Sequence, residues 1–334
     1  MSPIAILLTC LAATQGPVLG IEGTRFTLDG QPTFLIGISY YGALAIEDET
    51  VLADDLDTMR QHGFNWVRIW ACWNTYDENT SAVNRDGTPH GPYLDRLTRL
   101  CASAGQRGMI VDVTLHRGEQ EGVPRTFEEH LAVTETLART LKPFRNAYFD
   151  VGNERNVGDA RYVPLEEVGR LIARIKEIDP ERLCTASDGG EIALDEVADY
   201  LSVGHVDFLA PHRGRHAGSP AETAARTTAL LNTAAGIRPV PVHHQEPFRR
   251  GYADWQPDAK DFQTDLEGAR DGGAAGWCFH NGGTRTTEDE RPRRSFDLRP
   301  AEDRLFEQFD AEEQALLHWL RGNVKATPRT GAAR

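Results

Sequence analysis

Two glutamates carry the chemistry that the sequence suggests. Glu154 ends the run Phe149-Asp150-Val151-Gly152-Asn153-Glu154, and Glu246 follows the run from Pro239 to His243 through His244-Gln245. Each stands where an apolar, strand-like stretch turns polar. A carboxylate is costly to bury, so a glutamate leaving a core is either tied into an ion pair or held for chemistry. A pair of them suits glycosidic bond cleavage: one carboxyl gives a proton to the leaving oxygen while the other, ionised, attacks or stabilises the anomeric carbon. Proximity also helps to separate their roles, because the charge on one raises the proton affinity of the other.

Other polar residues fall at comparable positions. Arg68 is expected to keep Glu246 ionised and oriented, with a purely structural ion network as the alternative. Asn153 is expected to donate to a sugar hydroxyl beside the reacting carbon, or else to cap a loop. His116, His212, His244 and His280 are read as hydroxyl-binding or carboxylate-orienting residues. With Asp112 or Asp150 they would also make a metal set. The first strand, however, ends in Ser39-Tyr40-Tyr41 and lacks an HxH pair, so no metal and no other cofactor is expected. Tyr40, Tyr41, Trp70, Trp73, Trp255 and Trp277 are candidates to line a sugar cleft, with Trp277 foremost. Phe64 and Trp66 read as core, and Trp319 as helix packing.

These residues need a scaffold that brings distant strand ends together. After a small hairpin over residues 22–32, turning at Asp29-Gly30, strands are expected at 33–38, 64–70, 109–115, 147–151, 183–187, 206–210, 239–243 and 274–279. Helices are expected at 49–62, 93–106, 127–141, 165–178, 192–200, 220–235, 258–269 and 304–320. Eight βα units with strands apolar on both faces and no dividing linker predict an α/β fold, a single (β/α)8 TIM barrel over residues 21–334. A doubly wound open sheet and a pair of smaller α/β domains are the alternatives. Neither GxGxxG nor GxxxxGK[ST] occurs. In a barrel, function belongs at the C-terminal strand ends, where Arg68, Asn153-Glu154, His212, Glu246 and His280 cluster. Two long loops, residues 71–92 and 282–300, emerge at that end.

The chain has 334 residues, 40% of them hydrophobic, and a net charge of −14. That charge argues against a nucleic acid partner and imposes no repulsion on a neutral, hydroxyl-rich oligosaccharide, polysaccharide or glycoside. No protein partner is indicated. Residues 1–20 hold an apolar stretch from Ile4 to Ala13, too short to span a membrane. It reads as a candidate signal-peptide core without the usual positive n-region, with a disordered tail or a packed helix as alternatives. A secreted or periplasmic location is therefore expected, with a cytoplasmic one as the alternative. The five cysteines, Cys10, Cys72, Cys101, Cys184 and Cys278, are isolated from one another and read as single thiols.

The combination resembles the clan A retaining glycoside hydrolases, and within them the family-five cellulase and mannanase-like barrels, from about Gly23 to Leu320. The resemblance implies Glu154, after Asn153, as acid/base and Glu246 as nucleophile, with Arg68, His116 and Trp277 as further site residues. Arg155 stands where the family commonly has proline. Pro211-His212-Arg213 replaces a His-Tyr pattern, so His212 is expected in place of the tyrosine that contacts the nucleophile. The expected activity is retaining cleavage of β-glycosidic bonds by double displacement. A carbohydrate-binding barrel without turnover, and a metal-dependent barrel hydrolase or isomerase, are the other readings.

Overall fold

The computed structural model describes residues 16–75, 78–115, 121–158, 161–251, 254–282, 296–299 and 304–324. Its centre is a parallel sheet curled into a ring. The first to fifth barrel strands are Leu35–Ser39, Trp66–Trp70, Ile110–Thr114, Ala147–Asp150 and Cys184–Thr185; the seventh and eighth are His243–His244 and Gly276–Phe279. They lie side by side in the order fifth, fourth, third, second, first, eighth, seventh.

Residues 206–211 fill the sixth position and close the ring. The Asp207 amide donates to the Cys184 carbonyl at 2.8 Å, and His243 donates to Leu209 at 2.8 Å, so this segment bonds to both free edges. The sequence predicts a full strand here, but only single bridges form, Asp188 to Pro211 and Leu209 to Val242. Pro211, Pro239 and Pro241 remove ladder donors from these segments, which keeps the pairing short.

Eight α-helices surround the ring among the described residues: α1 Glu49–Gln61, α2 Tyr93–Gln106, α3 Phe127–Leu141, α4 Leu165–Ile178, α5 Val197–Ser202, α6 Ser219–Ala235, α7 Ala259–Asp271 and α8 Ala311–Asn323. None of the helices described is long and apolar enough to cross a membrane. Helix α8 starts seven residues later than the periodicity predicts. Asp310 and Glu313 form a capping box there, and a separate 3-10 turn occupies Leu305–Glu307.

The N-terminal end of the barrel is plugged by a three-stranded antiparallel sheet, Leu19–Glu22, Arg25–Leu28 and Gln31–Thr33. Asp29 and Gly30 turn it with φ of 50° and 76°, as the Asp-Gly pair predicts. This sheet pushes Phe26 beneath the barrel, edge-on to Phe208 at 5.1 Å and to His243 at 5.3 Å. Just above, the Trp66 indole crosses the interior. A Cβ on Gly37 would lie 1.4 Å from that ring, so only glycine fits opposite it.

Alternation along the strands decides which residues reach the interior. Gly37, Ser39, Trp66, Arg68, Asp112, Tyr148, Asp150 and Cys278 face inward, as their mutual contacts show. Their neighbours Ile36, Ile38, Val67, Val111, Phe149, Trp277 and Phe279 belong to the apolar layer beneath the helices. The cysteines within the described residues, Cys72, Cys101, Cys184 and Cys278, are buried free thiols.

Candidate active site

A polar layer spans the barrel below its C-terminal mouth. Arg68 is fully buried at its centre. Its Nε donates to Asp112 at 3.1 Å, and its Nη2 donates to Asp150 at 3.0 Å and to Asn153 Oδ1 at 2.8 Å. Its Nη1 donates to Glu246 Oε2 and, at 3.4 Å, to the Tyr41 hydroxyl. A guanidinium tolerates this burial because its planar fork meets several carboxylates at once. Asp112 also accepts from Gln245 at 2.9 Å and from the Tyr148 hydroxyl at 3.1 Å. Burial, against the pull of Arg68, pushes the Asp112 carboxyl up to about 7.

Glu154 leaves the fourth strand in a strained turn with φ of 44°, a left-handed conformation uncommon for a residue with a side chain. The turn is fixed from several sides. The Glu154 amide donates to Ser187 Oγ at 3.0 Å, and Asp150 Oδ1 accepts from the amides of Gly152 and Ser187 at 3.2 and 3.1 Å. Arg155, the residue in place of the family's proline, is an anchor. Its amide donates to the Ser187 carbonyl at 2.9 Å, its Nε donates to the Tyr200 hydroxyl at 2.7 Å, and its guanidinium lies over the Tyr200 ring. A proline here would lack all three contacts.

Glu246 ends the seventh segment opposite. Its Oε2 takes the Arg68 bond and a 2.8 Å bond from the Tyr41 hydroxyl. A carboxylate oxygen each from Glu154 and Glu246 and a ring nitrogen of His212 all lie within 4.8 Å of one another. His212 Nδ1 is 3.2 Å from Glu154 Oε1 and 3.9 Å from Glu246 Oε2. Between the two carboxylates lies Arg215, whose Nη2 donates to Glu154 Oε1 at 3.0 Å and to Glu246 Oε1 at 2.9 Å. Among the described residues this is the one place where such donors gather closely enough to share a small cation. The positive charge there is the Arg215 guanidinium.

Electrostatics follow from these contacts. Burial acts to raise the Glu154 carboxyl and so does the charge of Glu246, but the His212 bond and Arg215 outweigh them and hold it down at about 2. Burial likewise acts on Glu246, and His280, His212, Arg68 and Arg215 bring it well below the usual carboxylate range. Burial pushes His280 itself down to about 3. It is therefore neutral near pH 7.

The structure brings Arg68, Asn153, Glu154, His212, Glu246 and His280 to one place. His280 lies with Nε2 3.7 Å from Glu246 Oε1 and its Nδ1 3.0 Å from the Pro247 carbonyl. Trp70 is nearby as a backing wall: its ring stacks on Tyr41 at 3.7 Å, and Trp73 meets Trp70 at 4.7 Å. Three expectations are corrected by strand parity. Trp277 is fully buried and turned outward, donating its indole N–H to Asp265 on α7 at 2.6 Å. Tyr40 donates to Asp55 on α1 at 2.7 Å, and His244 pairs with Thr227 on α6 at 2.8 Å. Trp255 packs on Phe248 at 4.8 Å. His212 Nδ1 lies nearer Glu154 than Glu246, at 3.2 and 3.9 Å, and the phenol bonded to Glu246 is that of Tyr41. His116 lies outside the described residues, as does most of the loop after the eighth strand. Arg215 was not legible in the sequence: His212-Arg213-Gly214-Arg215-His216 reads as a basic surface loop.

Among solved structures, the chain is similar to a glycoside hydrolase family 5 protein from Bacteroides vulgatus, at 16% identity and a TM-score of 0.63, covering 82% of this chain and 63% of that one. It is also similar to an endo-1,4-beta-mannanase from Rhizomucor miehei, at 16% identity and a TM-score of 0.61, over 78% of this chain and 89% of that one. An endo-1,4-beta-mannanase from Eisenia fetida matches at 17% identity and a TM-score of 0.59, over 92% and 96% of the two chains. At such identities the likeness shows the fold. The chain spans from 62% to 66% of the length of three of the similar structures. No curated protein sequence matches it. The sequence model described as Cellulase (glycosyl hydrolase family 5) matches residues 21–199, more than half of the chain and including the Asn153-Glu154 turn, and the chain belongs to that family.

Proposed function

We propose that this protein hydrolyses β-glycosidic bonds with retention of anomeric configuration, with Glu246 as nucleophile and Glu154 as acid/base. The observation that carries the reading is the approach of the two carboxylates to within 4.8 Å at the mouth of the barrel. Retaining enzymes need about 5 to 5.5 Å between carboxyl groups, whereas inverting enzymes need about 6.5 to 9.5 Å to admit a water. Glu246 Oε2 is engaged by Arg68 and Tyr41, so Oε1 is the oxygen that attacks. It bonds to the anomeric carbon as the glycosidic C–O bond breaks and Glu154 passes its proton to the leaving oxygen. Glu154, now a carboxylate, takes a proton from water, and the resulting hydroxide displaces Glu246 and releases the sugar. Asn153, anchored through Oδ1 to Arg68, has a buried Nδ2 available to a sugar hydroxyl.

Three of the similar structures carry the name mannanase, so β-1,4-mannan and aryl β-mannosides open the substrate panel, followed by β-glucan and aryl β-glucosides. Proton NMR of the first-formed product distinguishes retention from inversion directly. A β-configured initial product, activity abolished in Glu246→Ala, and partial rescue of Glu154→Ala by azide on a dinitrophenyl glycoside are expected. An α-configured product would overturn the assignment. A carbohydrate-binding barrel without turnover is the second reading, because the His212 bond and Arg215 together hold the acid's carboxyl low; measurable binding of the same sugars with no cleavage would favour it.

A further inference from the structure

We propose that Glu191 is a positioning residue for the acid/base: paired with the buried Arg213, it fixes the backbone that aims His212 at Glu154. The inference rests on the hydrolase reading above and adds to it a carboxylate on the loop after the fifth strand.

The His212 ring is aimed without a second anchor. Its Nδ1 lies 3.2 Å from Glu154 Oε1, and with that carboxylate ionised the ring N–H donates to it. Its Nε2 is buried and meets no hydrogen-bond partner among the described residues. A histidine at a working site is ordinarily oriented by the bond that its second nitrogen makes. Here the direction of the ring falls to the backbone beneath it.

That backbone is laced to residues 187–191. The His212 amide donates to the Asp188 carbonyl at 3.0 Å, the Arg213 amide to the Gly190 carbonyl at 2.8 Å, and the Gly214 amide to Glu191 Oε1 at 3.2 Å. The same segment holds the turn that carries Glu154. Ser187 accepts from the amides of Glu154 and Arg155, while Asn156 donates to Asp188 Oδ1 at 2.6 Å and accepts from the Gly189 amide at 2.7 Å. Both ends of the contact between His212 and Glu154 therefore share one mount.

Glu191 secures the His212 side of that mount. Arg213 has φ of 66°, a left-handed conformation that persists only where its surroundings enforce it. Its guanidinium is buried. Nη1 donates to Glu191 Oε1 at 2.6 Å, and Nη2 donates to the Ser219 carbonyl and the Thr223 hydroxyl, at the start of α6, at 3.0 and 2.8 Å. One carboxylate oxygen thus holds both this side chain and the next amide. Without it a buried cation loses its ion-pair partner, which draws Arg213 toward water and undoes the left-handed turn. Glu246, by contrast, takes its position from Arg68 and Tyr41. A loosened mount therefore disturbs the acid and leaves the nucleophile in place, so the step that suffers is proton delivery to the leaving oxygen.

The test compares the full chain as wild type, Glu191→Ala, Glu191→Gln and Arg213→Met. The substrates are aryl β-mannosides and aryl β-glucosides, each with a dinitrophenyl leaving group, which departs without a proton, or a phenyl group, which needs one. In Glu191→Ala, kcat/KM on the phenyl substrate is expected to fall by about 10-fold or more and that on the dinitrophenyl substrate to stay within about threefold of wild type. Arg213→Met should reproduce the pattern, and Glu191→Gln, which keeps the acceptor oxygen, should lose less. Equal losses on both substrates mark a merely structural role and overturn the proposal, as does no loss on either. Proton NMR without sugar reads the contact itself. The His212 ring N–H signal, assigned by its disappearance in His212→Gln, should be sharp in wild type and broadened by exchange in Glu191→Ala; an unchanged signal also overturns the proposal. If Glu191→Ala does not fold, Arg213→Met and Glu191→Gln are read in its place. A wild type that cleaves neither series while the N–H signal responds as expected counts against the hydrolase reading and supports the hold of Glu191 on His212.

Discussion

Tyr41 donates its hydroxyl hydrogen to Glu246 Oε2 at 2.8 Å while its ring lies flat on Trp70, with the planes 1° apart. One residue thus receives its position from an aromatic wall and passes it to the carboxylate opposite Glu154. Burial and the charge of Glu246 push the Tyr41 phenol well above its ordinary value, so it remains a donor throughout the working range of pH. Tyr41→Phe keeps the stacking and removes the hydrogen bond to the Glu246 carboxylate, worth about 1.5–3 kcal/mol, together with the longer one accepted from Arg68. Turnover of an aryl glycoside should fall by roughly 10- to 100-fold with KM little changed, as steady-state kinetics would reveal. An unchanged kcat would mean that Arg68 alone orients Glu246.

Trp277 faces α7, not the mouth. Trp277→Phe leaves Asp265 Oδ2 without its indole donor in a fully buried place. The variant should lose about 1–3 kcal/mol of stability in denaturant titrations. Its kcat and KM should match wild type within a factor of two or so, since no substrate contact is removed. A large rise in KM with stability intact would restore Trp277 to the cleft.

Asp265 gives the fold a pH dependence of its own. Burial raises its carboxyl to about 6, against the bonds from Thr223 and Trp277. Because the folded value lies above the unfolded one, its contribution to stability is fully present below about pH 4 and is lost as pH rises through about 6. The loss amounts to at most about 3 kcal/mol, the free energy of a shift of roughly two units. Asp265→Asn should remove this slope. Its Tm relative to wild type is expected to improve between pH 4 and pH 7, and parallel Tm curves for the two proteins would refute the assignment.

Arg155 anchors the turn that carries Glu154 without touching the reacting atoms. Arg155→Met should lower kcat by about 10-fold or more while KM moves less, because a loosened turn misplaces the acid by a fraction of an ångström. Tm should fall as well, since Asp188 and Tyr200 lose their buried cation. Arg155→Pro, which restores the family's commoner residue, should be worse, because it also removes the amide that bonds the Ser187 carbonyl at 2.9 Å.

The sequence by itself determined the rhythm of strands and helices and the position of both glutamates at strand ends. Apolar periodicity and the abrupt polarity of a strand terminus are local properties, and they were enough to predict a barrel and its working face. What the tertiary structure decided was direction and closure. A shift of one residue along a strand turns a side chain from the axis to the helices, so Tyr40 and Tyr41, or His243 and His244, differ in kind although they are neighbours. Trp277 follows the same parity: three positions before the inward His280, it must face outward. Arg215 lay beyond any local signal, because its meaning comes from two carboxylates 61 and 31 residues away that only ring closure brings within reach of one nitrogen.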